Sequence, residues 1–77
     1  MDFAMFGRKV RQQRRRHGLR QAEVAALAGV GPRFVSELEN GKSTLEIGRA
    51  VRVAEIVGLT FQVEPKSWMS YLDVDAR

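Results

Sequence analysis

The side chains best suited to chemistry in this 77-residue chain lie at the start of one short predicted helix. This helix follows Gly31 and opens with Pro32, which is tolerated at a first helical position because the N–H that it lacks is not needed there. The outward-facing residues are Arg33, Phe34, Ser36 and Glu37. A polar helix start of this kind predicts contacts with the edges of DNA base pairs, with Arg33 as the donor to guanine.

Two short helices must position these side chains. Residues 21–28 and 32–39 are predicted to be helical and joined by a glycine-bearing turn. Small residues allow the helices to cross closely, and they are Ala25, Ala26, Ala28 and Gly29. Apolar residues with helical spacing should face inward, and they are Val24, Leu27, Val30, Val35 and Leu38. This arrangement is typical of a helix that lies in a DNA major groove.

A further helix is predicted on each side of this pair. The first runs from about Phe3 to His17, with Asp2 as N-cap and Gly18 as a left-handed stop. The last runs from about Thr44 to Val57, because Ser43 and Glu46 fit a capping box, and Gly58 ends it. Its predicted core face is Leu45, Ile47, Ala50, Val51, Ala54 and Val57, while Val53 and Ile56 suggest a second contact surface.

The positive charge is concentrated near the start of the chain. The net charge is only +4, but many of the 13 basic residues lie within the first twenty positions, and no acid occurs between Asp2 and Glu23. These basic residues are Arg8, Lys9, Arg11, Arg14, Arg15, Arg16 and Arg20. Such a run is either a solvated helix face or a surface for phosphates, and its position beside the helix pair favours phosphate contacts, with Arg11 among them.

Composition excludes several classes of protein. The chain has no cysteine and one histidine, so a metal site, a cofactor and a catalytic triad are not expected, and an enzyme is not predicted. The apolar fraction of 44% supports a folded chain, and no apolar run is long enough to cross a membrane. The start carries Asp2 where a secretion signal needs positive charge, so a cytoplasmic protein is expected.

Residues 59–64 change to the alternating pattern of a half-buried strand, with Leu59, Phe61 and Val63 on one side and Pro65 as its end. A lone strand leaves its backbone groups unpaired. Pairing with the same strand of a second copy, antiparallel across a two-fold axis, would satisfy them and create a homodimer. The alternative is an extended segment that has no partner.

The chain is expected to divide into a domain over residues 1–65 and a C-terminal tail over residues 66–77. Trp68, Tyr71 and Leu72 in this tail have the spacing of one helical face. They would either cover the last helix of the partner copy or anchor a different protein, because Trp and Tyr are frequent at interface hot spots.

Two segments of the chain resemble a known family. They are Gly18-Leu19-x-Gln21-x-Glu23-x-Ala25-x-x-Ala28-Gly29-Val30 and Val35-Ser36-x-Leu38-Glu39-Asn40-Gly41-Lys42. Together they resemble the Xre-type, lambda-repressor-like helix-turn-helix domain, which implies a mainly α fold of four to five helices. The strand after the last helix makes the chain most similar to the HipB-type antitoxins, which pair such strands in their dimers.

The resemblance implies roles for individual residues. Arg14 and Glu39 match a partly buried ion pair of the family. Gln21, Asn40 and Lys42 match positions that contact phosphates, and Gly31, Pro32, Arg33, Ser36 and Glu37 match positions that meet DNA. Arg20 stands where the family usually has a capping Thr or Ser, so it weakens the cap but adds a charge near phosphate.

The helix start also departs from the family pattern. Gly31 and Pro32 replace two potential base readers, which leaves Arg33 as the main one and gives DNA shape a larger share of the specificity. Phe34 either contacts a thymine methyl group or lies along Pro32. Glu37 either accepts from a cytosine amine or holds Arg33 one helical turn away.

The resulting prediction is a homodimeric, sequence-specific repressor that binds a pseudo-palindromic DNA operator. The resemblance further implies an antitoxin that represses its own operon and restrains a HipA-like kinase toxin. The alternatives are a stand-alone Xre-type regulator and a protein-interaction module that acts through its tail. A membrane-surface helix is disfavoured, because arginines occupy too much of the circumference of the first helix.

Overall fold

A computed structural model describes residues 1–65 of the chain, and four α-helices follow one another within them. They are α1 (Phe3–Arg16), α2 (Gln21–Ala28), α3 (Pro32–Glu39) and α4 (Ile47–Ile56). Helix α3 packs against both α1 and α2, and α2 also packs against α4. The mainly α class is confirmed, and the bounds predicted for the second and third helices agree with the structure.

The ends of α1 follow from its flanking residues. The Asp2 carboxylate accepts a hydrogen bond from the Met5 N–H at 3.0 Å, and this N-cap satisfies one of the free donors of the first turn. After the last turn, Gly18 has a φ of 70°, and Gly58 after α4 has a φ of 91°. Because residues with a Cβ are strained in this region, both glycines end their helices as predicted.

The predicted start of α4 is wrong by one turn. The helix begins at Ile47, and Glu46 is its N-cap, with its carboxylate accepting from the N–H groups of Gly48 at 3.1 Å and Arg49 at 3.0 Å. A capping box from Ser43 would place Glu46 inside the helix. Glu46 caps the helix itself instead, and Leu45 lies half-buried against the core in the preceding turn.

The hydrophobic core is formed by all four helices and the residue that follows α4. Its fully buried apolar members are Val10, Val24, Ala25, Ala28, Val35, Leu38, Ala50, Val53, Ala54 and Val57. The gap between α1 and α3 is narrow at Gly7, where an added Cβ would overlap the carbonyl oxygens of Leu38 and Glu39. Close backbone contact therefore fixes the C-terminal end of α3 against α1.

The burial predicted for three apolar residues differs from that in the structure. Leu27 and Ile47 were expected in the core, but they are 63% and 50% exposed. The buried face of α2 is centred on Val24, Ala25 and Ala28, which turns Leu27 to the side, and Ile47 lies in the first turn of α4, ahead of the buried positions of that helix. Val53 was assigned to a second contact surface, but it is fully buried within the single chain.

The segment after α4 does not form a strand within the described part of the chain. Leu59 packs against the core, and the ring of Phe61 lies 6.3 Å from that of Phe6 on α1, measured between centroids. Val63 is 87% exposed. Pairing of this segment with a second copy stays a prediction, and the predicted anchor residues Trp68, Tyr71 and Leu72 lie outside the described residues.

No helix in residues 1–65 combines the length and apolar character needed to cross a membrane.

Candidate nucleic-acid interface

The turn between α2 and α3 holds the start of α3 in a fixed position. The Val30 N–H donates to the Ala25 carbonyl at 3.0 Å, and the Gly31 carbonyl accepts from the Phe34 N–H at 3.0 Å. Gly31 is the N-cap residue of α3 and Pro32 lies in its first turn, as the sequence indicates. Since Val35 and Leu38 are buried on the inner side of the helix, the opposite side faces solvent.

The solvent-facing side of α3 carries most of the predicted base-contacting residues. The Arg33 side chain is 90% exposed, Pro32 is exposed, and Ser36 and Glu37 are partly exposed. Gly31, which is predicted to contact phosphate, is exposed next to them. Phe34 is also partly exposed, but it packs against the hydrophobic core as well. Part of the Phe34 ring is accessible to a ligand, and its contact with DNA stays a prediction.

Glu37 lies between two cations on this face. Its Oε2 atom is 3.2 Å from the Arg33 Nε and 3.3 Å from the Lys42 Nζ. The hydrogen bond from Lys42 and the weaker one from Arg33 outweigh partial desolvation, so the pKa of Glu37 lies below its usual range. The carboxylate thus holds Arg33 one helical turn away, and it also holds Lys42 from the following loop.

A second carboxylate lies at the buried end of α3. Glu39 is only 3% exposed, and it accepts from the Arg14 Nε at 2.6 Å and from the Arg14 Nη2 at 3.0 Å. Arg14 also donates to the Leu19 carbonyl at 2.9 Å. Burial by itself raises the pKa of Glu39, but the hydrogen bonds from Arg14 and Gln21 more than offset it, so the net pKa is lowered. The family resemblance implied this ion pair, and the structure has the two residues in direct contact.

Two of the predicted phosphate-contacting residues share the same carboxylate. The Gln21 Nε2 donates to the Glu39 Oε1 at 3.0 Å, and the Arg11 Nε donates to the same oxygen at 3.3 Å. Arg11 also donates to the Asn40 Oδ1 at 3.1 Å. Residues from α1, α2 and the end of α3 are therefore brought together around Glu39, and sequence reasoning did not anticipate that Gln21 and Arg11 join its ion pair with Arg14.

The start of α2 is capped in a different way from the family pattern. The guanidinium of Arg20 has no acceptor atom and cannot cap a helix. The Glu23 carboxylate instead accepts from the Arg20 backbone N–H at 2.7 Å. The Arg20 side chain is exposed and is available to an anion, and its Nε lies 3.8 Å from the nearest Glu23 oxygen.

The basic run is divided between the surface and the interior. Arg14 is buried and Arg11 is partly buried, while Arg8, Lys9, Arg15, Arg16 and Arg20 are exposed. Within residues 1–65, no group of three His, Asp or Glu side chains could hold a metal ion. The polar groups along α3, which include Arg33, Ser36 and Glu37, are hydrogen-bond donors and acceptors.

Four short helices, with α2 and a glycine-bearing turn holding α3 so that its polar face is outward, define a helix-turn-helix domain. Residues 10–63 match the family model HTH_3, described as helix-turn-helix. Because this match covers more than half of the chain, the protein belongs to this helix-turn-helix family.

A similar protein from Sinorhizobium fredii carries the name "uncharacterized HTH-type transcriptional regulator y4mF". The two chains are 42% identical over 60 residues, which cover 78% of this chain and 79% of the relative. The similarity therefore extends over most of both proteins.

Proposed function

We propose that this protein is a DNA-binding transcription regulator that acts as a repressor, with α3 in the major groove. The observation that carries the proposal is the outward face of α3, where a highly exposed Arg33 stands on a helix that is held by the core on its other side. Membership of a helix-turn-helix family and the name of the relative support it.

The proposed contacts fall into two groups. Arg33, Ser36 and Glu37 contact base edges, and Pro32 and the accessible part of Phe34 complete the surface that faces them. Phosphate contacts come from residues that border this face, and they are Gln21, Arg20, Gly31, Asn40, Lys42 and Arg11. The second group determines where the domain sits on the duplex, and the first determines which sequence it prefers.

The proposed active form is a homodimer. Residues 59–64 leave a backbone edge without a strand partner in residues 1–65, and the exposed Val63 lies on it. Antiparallel pairing of this segment across a two-fold axis would satisfy its backbone groups. Each dimer would then place its two α3 helices in successive major grooves, about 34 Å apart, on a pseudo-palindromic operator.

The more specific proposal is an antitoxin that represses its own operon and binds a HipA-like kinase toxin. It is supported by the resemblance to HipB-type antitoxins and by the aromatic residues Trp68 and Tyr71 in the tail. A kinase-like neighbouring reading frame, and loss of binding to that kinase with retained DNA binding after deletion of residues 66–77, would support this role. The absence of such a neighbour would favour a stand-alone regulator.

The DNA-binding proposal is tested by selecting duplexes from a randomised library with the full-length protein and then comparing variants. Arg33→Ala should weaken binding to the selected duplex by about 1–3 kcal/mol and have less effect on a random duplex. Lys42→Ala should weaken both alike, because phosphates are common to all sequences. Arg49→Ala on α4 is the matched control, and it should change neither.

Equal losses on both duplexes for Arg33→Ala would remove it from base reading. Failure of the wild-type protein to bind or to enrich any duplex would overturn the proposed function. A selected site without two-fold symmetry, or a stoichiometry of one chain for each site, would contradict the homodimer.

A further inference from the structure

Glu37 is an acid on the face that is proposed to meet an acidic polymer. A carboxylate there repels phosphates, so its presence needs a compensating role. Both of its close cationic partners, Arg33 and Lys42, belong to the proposed DNA-contacting set. Both contact the same oxygen, Oε2, at 3.2 Å and 3.3 Å. In the free protein, therefore, one acidic side chain occupies two of the groups that DNA would use.

The arrangement at Glu37 differs from the other exposed ion pairs of the described chain. Glu23 and Glu46 each lie near a single arginine, at 3.8 Å and 3.7 Å, and the carboxylates serve as helix caps. Glu37 caps no helix, and it is located in the middle of the outward face of α3. Its partners are exposed cationic side chains, since Arg33 is 90% and Lys42 46% exposed, while the Glu37 side chain is 27% exposed. Exposed pairs of this kind are weak enough to exchange with a ligand.

Binding to DNA would have to exchange these partners. On a random sequence, phosphates would take Arg33 and Lys42 away from Glu37, which would leave an unpaired carboxylate close to the DNA backbone. On a sequence that offers guanine to Arg33 and a cytosine amine to Glu37, both side chains would find new partners. New contacts would therefore offset the loss of the Glu37 ion pairs with Arg33 and Lys42 only on the matching sequence.

We propose that Glu37 is a specificity-determining residue, which restrains Arg33 and Lys42 and so suppresses binding to DNA of the wrong sequence. This inference rests on the proposed DNA-binding function. Glu37 would then contact the matching DNA sequence and would also make binding to other sequences less favourable.

The first test compares Glu37→Gln with Glu55→Gln, which removes one exposed negative charge from α4 instead. Affinities are measured for a random duplex and for the duplex selected by the wild-type protein, at one salt concentration. Glu37→Gln should raise affinity for the random duplex about threefold to tenfold, the amount expected for releasing two exposed ion pairs. Affinity for the selected duplex should rise less or fall, so the ratio of the affinity for the selected duplex to that for the random duplex decreases.

The second test separates restraint of Lys42 from a general loss of negative charge. Lys42→Ala is introduced into the wild type and into Glu37→Gln, and binding to the random duplex is measured. If Glu37 restrains Lys42, removing the lysine should cost more affinity in the Glu37→Gln background, where it is free to contact phosphate. Equal costs in the two backgrounds would overturn the proposal.

The remaining outcomes are also decisive. An unchanged affinity ratio for Glu37→Gln, or an equal effect of Glu55→Gln, would overturn the role of Glu37 while leaving the DNA-binding function intact. Absence of wild-type binding to any duplex would instead reject the proposed function, and the role of Glu37 with it. Circular dichroism of each variant checks that the helices are retained.

Discussion

The two glutamates of α3 are matched in chemistry and differ in burial. Glu37 and Glu39 are separated by two positions on one helix, and each carboxylate is shared by two cationic side chains. Two positions correspond to about 200° around a helix, so the two side chains lie on nearly opposite faces. Glu39 faces the junction with α1 and α2, whereas Glu37 faces solvent.

This difference in burial determines what each ion cluster can do. The contacts of Glu39 with Arg14 are removed from water, so separating them would leave a buried charge unpaired, and the cluster holds three helices in place. The contacts of Glu37 with Arg33 and Lys42 are open to water, which replaces them at little cost. The buried cluster is suited to stability, and the exposed one is suited to exchange with a ligand.

The same substitution at the two positions gives the largest expected contrast. Glu39→Gln should lower the free energy of unfolding by about 3–5 kcal/mol, because it leaves the Arg14 charge buried without a counter-charge. Glu37→Gln should leave the urea midpoint close to that of the wild type. Urea denaturation followed by circular dichroism measures both, and similar midpoints for the two variants would contradict the distinction.

The second contrast concerns how the buried end of α3 is held against α1. Gly7→Ala should destabilise the domain by about 1–3 kcal/mol, because the added methyl group would overlap the backbone carbonyls of Leu38 and Glu39. Gly31→Ala is the control, since nothing lies within 4 Å of its added Cβ and its φ of -80° suits any residue. Thermal unfolding compares the two, and a stable Gly7→Ala variant would show that the helices can separate.

The smallest expected effect is a difference in pH dependence. Because the folded-state pKa of Glu39 lies below the ordinary value of 4.5, its contribution to stability is complete above that value and is lost as the pH falls through the lowered pKa. The stability difference between wild type and Glu39→Gln should therefore narrow from about pH 6 to about pH 3. Glu37→Gln should keep most of the wild-type pH dependence. Urea midpoints across this range provide the measurement.

Local sequence signals predicted the helix boundaries well where residues adjacent in sequence determine them. Asp2, Gly18 and Gly58 act within one turn of the chain, and their roles are confirmed. The start of α4 was harder, because Ser43 and Glu46 fit one capping pattern while Glu46 can also cap alone. The exposure of Leu27 depends on how α2 lies against α3 and α4, which helical spacing cannot determine.

The sequence predicted most residues of the candidate site, but it did not predict the hydrogen bonds between them. The face that carries Arg33 and Glu37 follows from the burial of Val35 and Leu38 on the opposite side of α3. The contacts of Gln21 and Arg11 with Glu39 join residues that are 18 and 28 positions apart, and no local pattern indicates them. The packing of Phe34 against the core was not predicted for the same reason, since it depends on neighbours from other helices.

The contact between the rings of Phe6 and Phe61 ties the segment after α4 to the first helix. In the proposed homodimer, that segment would lie at the two-fold axis. Its direction relative to α1 would therefore determine the distance between the two α3 helices.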